Sequence, residues 1–125
     1  MNSLIMAFAA VFIAQFSFAA DPCDSKVELR FRESFAKRPA NYHVQRVTLE
    51  EAKEIILLSE ELWSDDLKQE AIQIISEPGV LVYNLVWETL EGHQPWTLLG
   101  FLHTVDPKTC QRLEGVQHLH EQERD

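Results

Sequence analysis

The chain has 125 residues, 46% of them hydrophobic and 25% charged, with a formal net charge of −9 and two cysteines. That length supports one domain with a modest core, and the acidity excludes a general grip on nucleic acid, because phosphates need a basic footprint. The charge is uneven: residues 21–46 carry six basic and four acidic side chains, whereas 47–91 carry two basic and eleven acidic ones.

Residues 1–20 read as a secretory signal. Positions 4–16 are apolar apart from Gln15, and Ser17, Ala19 and Ala20 offer small residues for a cleavage edge before Asp21. The alternative, an uncleaved anchor, is marginal in length. The mature part is then a single domain over 21–125, secreted or periplasmic. It contains Cys23 and Cys110, which an oxidising compartment should join as a disulfide. No other apolar run is long enough to cross a bilayer, so no stable membrane insertion is expected once the signal is cleaved.

In 21–38, Asp21 can cap a helix with Pro22 in its first position. Cys23, Val27, Phe31 and Phe35 would share one face, and Pro39 would stop it. The same stretch alternates Val27, Leu29 and Phe31 like a strand, but the cap and the stop both favour the helix. Residues 42–47 suit a short strand with His43 on the face opposite Tyr42 and Val44.

Residues 48–77 hold two helical patterns and organise the fold. Thr48 and Glu51 form a capping box, after which Leu49, Ala52, Ile55, Ile56, Ser59, Leu62 and Trp63 recur as one stripe facing a core. Ser64 caps a second helix, whose first turn carries Asp65 and Asp66 and whose stripe is Leu67, Ala71, Ile74 and Ile75, ended by Pro78-Gly79. Almost no loop separates the two.

Residues 80–89 are β-branched and aromatic on both faces, the pattern of a central strand covered on each side; residues 90–95 turn the chain and 96–105 return it. Gly100 marks a bulge or a close backbone approach. Asp106-Pro107 repeats the cap-and-proline signal, predicting a short C-terminal helix with Cys110, Leu113 and Val116 on its stripe and a frayed end beyond. The fold class is therefore small single-domain α+β, with helices packed on a short antiparallel sheet and the terminal segments joined by a disulfide.

Chemistry is thinly signalled. His118-x-His120-Glu121 resembles a metal pair only if a third ligand such as His103 or His93 joins it, and no metal or other cofactor is predicted. A hydrolase would need nucleophile, base and orienting group, and no nucleophile elbow is present. A ribonuclease-like set of His43, His103 and Lys26 conflicts with the acidity. The many carboxylates from Glu50 to Asp66 mostly face water. The preferred function is a protein-binding domain, in its sharpest form an inhibitor of a cationic envelope or extracellular enzyme; a small secreted hydrolase, or a binder of a small apolar ligand between helices and sheet near Ile56, Trp87 and Phe101, is the alternative. Glu60, Glu61, Asp65 and Asp66 would steer a cationic partner towards contact with Glu91, His93 and Trp96 on the 90–96 loop.

Overall fold

A computed structural model describes residues 21–34 and 40–123. The signal expected at 1–20, the helical anchor Phe35 and the stop at Pro39 lie outside the described residues.

Helix α1 (Asp24–Ser34) starts where Asp21 accepts from the Cys23 amide at 2.8 Å and, through its carbonyl, from the Asp24 amide at 2.9 Å. Val27 and Phe31 are buried and Leu29 is exposed, so the helical period wins over the alternation. Strand β1 (Ala40–Val47) follows, and the Thr48–Glu51 box opens helix α2 (Leu49–Leu57) with reciprocal bonds of 3.1 and 2.8 Å. Ser64 accepts from the Leu67 amide and opens helix α3 (Asp65–Ile75). Strands β2 (Leu81–Thr89), β3 (Thr97–Val105) and β4 (Arg112–Gln122) complete a four-stranded antiparallel sheet in the order β1-β2-β3-β4.

The sheet is covered on both faces. On one, α1 packs Cys23, Val27 and Phe31 over Tyr83, Leu85, Trp87 and Val105. On the other, α2 and α3 pack Ala52, Ile56, Ala71 and Ile75 over Val82, Leu102 and Val116. Apolar side chains on both sides of β2 are what this arrangement requires. Cys23 and Cys110 are bonded, with Cα atoms 5.1 Å apart across 87 positions of sequence, and tie α1 to the turn before β4. Tyr83 donates its hydroxyl proton to the Asp24 carboxylate, and Arg46 lies 3.4 Å from the same group, which fixes the start of α1 over the sheet.

Three expectations are corrected. The C-terminal segment is a strand. Asp106 does cap one turn, accepting from the amides of Lys108 and Cys110, but Cys110 takes a left-handed φ of 62° and turns the chain out of the helical path. Nine residues of β3 would otherwise present an open edge, and pairing with β4 satisfies them. The α2 stripe is shorter than predicted, because residues 58–64 form an irregular link between α2 and α3; Ser59 and Leu62 still reach the core but Trp63 does not. Ile56 lies on the sheet face opposite Trp87 and Phe101, so no single cavity gathers them. Gly100, by contrast, behaves as read: the β3–β4 register shifts between Gly100 and Phe101, and the His118 imidazole occupies the space a side chain would take.

Candidate functional site

The link between α2 and α3 is irregular but firmly held. Ser59 donates its hydroxyl proton to the His118 carbonyl at 2.6 Å and accepts from the Leu62 amide at 3.1 Å. From α3, the Lys68 ammonium donates to the carbonyls of Leu57 and Ser59, each at 2.9 Å, placing a cation on the carbonyls that end α2. Inside this frame Leu62 points to the core, and Leu57, Leu58 and Trp63 point to solvent with 56, 76 and 80% of their surface exposed. Glu60 and Glu61 stand between them and Asp65 and Asp66 follow, all exposed. The predicted acidic residues thus flank exposed apolar side chains in the sequence, of which the helical period had assigned Trp63 alone to the core. One signal was available: Trp63 directly precedes an N-cap serine, where a preceding helix has already ended.

A cleft of about 610 Å³ separates this corner from β4, lined by Ile55, Leu58, Glu60 and Glu61 on one side and by His118, Leu119 and Glu121 on the other. Glu121 pairs with Leu98, two residues beyond Trp96, so the 90–96 loop lies at the same end of the sheet. Glu91 and His93 are exposed there. Trp96 is half-buried and donates its indole N–H to Glu88 at 3.2 Å, folding back to brace the loop.

The histidines are dispersed. His43 and His93 are exposed, on β1 and on the loop. His118 is buried on the α2–α3 face, where its Nε2 is 2.8 Å from the Asn84 side-chain oxygen and burial holds its pKa below the ordinary value. His120 is exposed opposite Leu99; the bulge between Gly100 and Phe101 breaks the alternation that would have aligned it with His118. The frayed tail expected here is the ordered last part of β4. His103 faces the α1 side. Among the described residues no group of three or more His, Cys, Asp or Glu side chains is arranged to hold a metal ion, and no helix is long and apolar enough to cross a membrane.

On the α1 face a second concavity opens between α1 and β4. A groove of about 520 Å³ lined by Phe31, Phe101, His103, Arg112, Leu113 and Gln117 adjoins one of about 270 Å³ that shares Phe31, Ser34, His103 and Arg112 and adds Arg30. Burial pushes the His103 imidazole down to about pH 4, and the charges of Arg112 and Arg30 push in the same direction. The imidazole is therefore neutral at pH 7. Sequence spacing marks neither arginine as part of a site, since a basic residue in a strand or on a helix face ordinarily meets only water.

No protein-family model matches the chain, and neither the curated proteins nor the solved structures provide a match.

Proposed function

We propose that the protein is an exported protein-binding domain whose α2–α3 corner recognises a basic segment of a partner protein. The observation that carries this reading is the exposure of Leu57, Leu58 and Trp63 within one seven-residue stretch that also holds Glu60 and Glu61 and is followed by Asp65 and Asp66. Isolated apolar residues on a surface mean little, but a cluster that includes a tryptophan and has a charged rim is the composition of a binding hot spot. The bonds of Ser59 and Lys68 hold the corner in place before any partner arrives, which reduces the ordering entropy lost on association. The cleft beside it suits a lysine or arginine side chain, whose stem would lie on Ile55, Leu58 and Leu119 while its head meets Glu60, Glu61 or Glu121. Glu91 and His93 extend the contact along the same end of the sheet, with Trp96 supporting their loop.

Acidic steering acts mainly on the association rate and the apolar anchor on the dissociation rate. The oxidised protein is used to capture partners from periplasmic or extracellular extract, and the captured protein is then titrated in purified form. Reversal of Glu60, Glu61, Asp65 and Asp66 to lysine should slow association about tenfold or more and abolish most of its salt dependence. Trp63→Ala should weaken binding by about 2 kcal/mol, chiefly through faster dissociation. Affinity unchanged by both sets of substitutions would refute the assignment of this corner.

A further inference from the structure

We propose that the groove between α1 and β4 binds a small carboxylate carrying an aromatic or other apolar body. Its walls and its floor have different chemistry. Phe31 and Phe101, in edge-to-face contact at 6.5 Å, and Leu113 supply apolar surface, while Arg112, Arg30 and His103 bring polar nitrogen to one side of it. In a chain of net charge −9, two guanidinium groups and an imidazole meet in one concavity.

Arg30 is fixed by donating to the Cys110 carbonyl, so the disulfide-linked turn orients it. The Arg112 side chain makes no hydrogen bond or ion pair among the described residues and is exposed, leaving its fork of donors for an anion. Gly115 lies directly opposite His103 in the β3–β4 ladder, and a Cβ there would sit 3.1 Å from the imidazole Cδ2. The absence of a side chain at Gly115 lets the imidazole lie over β4 beside Arg112. Glu114 also borders the groove and lines a separate cleft with Glu70 and Glu77 on the other face.

The arginines and the imidazole repel one another whenever the imidazole is charged, which is the direction in which Arg112 and Arg30 displace its titration. An anion between them removes that repulsion. A carboxylate fits the bidentate geometry of Arg112, and the apolar walls favour a ligand with a body over a bare inorganic anion. A volume near 520 Å³ is within the range of small-ligand sites.

Titration of the oxidised protein with phenylpropionate, phenylpropanamide and inorganic phosphate, followed by calorimetry and by NMR of the His103, Phe31 and Phe101 ring protons, tests the assignment. The expected result is saturable one-to-one binding of phenylpropionate with shifts confined to those rings, binding of the amide and of phosphate at least tenfold weaker, and a similar tenfold loss in Arg112→Gln. Because Arg112 is exposed, the thermal melt of that variant should superimpose on the parent's. A Glu60→Gln, Glu61→Gln variant, altered on the opposite face, should bind phenylpropionate as the parent does. The assignment is overturned by equal affinity for acid and amide, by phosphate binding as tightly as the acid, by an Arg112→Gln variant of parental affinity, or by no saturable binding at millimolar concentration.

Discussion

The two faces of the sheet solve the same packing problem differently. On each, a histidine from one strand lies over a glycine of its neighbour: His118 of β4 over Gly100 of β3, and His103 of β3 over Gly115 of β4. The His118 ring is buried with its Nε2 on Asn84, and its own carbonyl is bonded to Ser59, so on the α2–α3 side the imidazole is held in place by polar contacts. The His103 ring lies at a groove beside two arginines, and α1 leaves room there. A buried polar group with its partners in place is structural, whereas one placed beside two cations at an opening is available to a ligand.

Removing the disulfide is the most severe way to break this contrast. Replacing Cys23 and Cys110 by serine opens a loop spanning 87 positions and should cost about 4 to 5 kcal/mol in the chain-entropy model, read as a lower urea midpoint. The damage should fall on the α1 face first. Amide exchange in α1 should accelerate more than in α3, and equal acceleration in both helices would mean that the faces do not differ in their dependence on the crosslink.

The glycines give the next largest effect. A Cβ at Gly100 would stand 2.7 Å from His118 Cε1 and 3.0 Å from Leu119 Cβ. The imidazole is held by Asn84 and cannot yield cheaply, so Gly100→Ala should destabilise by about 1 to 3 kcal/mol. Gly115→Ala presses on His103 at 3.1 Å, but that ring borders open space and can move a few tenths of an ångström, and the alanine reduces the entropy of the unfolded chain. Its effect should lie within about 0.5 kcal/mol of zero. Equal losses in the two variants would contradict the distinction between an imidazole held by Asn84 and one at the edge of a groove.

Acid should sharpen the comparison. His103 titrates near pH 4 in the folded protein and near 6.5 when unfolded, so between those values the unfolded chain binds the extra proton. Its contribution to stability is therefore complete above pH 6.5 and is lost as pH falls towards 4, amounting to about 1 to 2 kcal/mol once screening by solvent in the groove is allowed for. His118 is displaced in the same direction by burial. The urea midpoint of His103→Gln should fall less between pH 7 and 4 than the parent's, and a parallel fall would remove the role assigned to His103. The smallest expected change belongs to Trp63→Ala, which should alter stability by less than about 0.5 kcal/mol because the indole is exposed. Chemical denaturation of that variant separates a binding residue from a core residue.

Elements governed by neighbours a few positions away were legible in the chain. Thr48 and Glu51, Ser64, and Asp21 with Pro22 each act within one turn of a helix, and the apolar faces of 80–89 announced a strand covered on both sides. The disulfide followed from counting the cysteines. The site was legible only in part. Glu60, Glu61, Asp65 and Asp66 are grouped by sequence, so their common patch was foreseeable, but Trp63 was misread because its spacing continues the α2 stripe. The local sign that the stripe ends early is the Ser64 cap just after Trp63, while the bonds that close α2 come from Lys68, eleven positions beyond Leu57.

What the amino-acid order determined by itself was the short-range part: where helices begin, which segment lies at the centre of the sheet, and where negative charge collects. Whether residues 112–122 coil or extend was settled by the unpaired edge of β3, a partner outside the reach of local spacing. The same pairing brings Arg112 alongside His103, and the disulfide brings Cys110 to Arg30; the basic groove exists because strand pairing and a long crosslink join side chains that no sequence window contains.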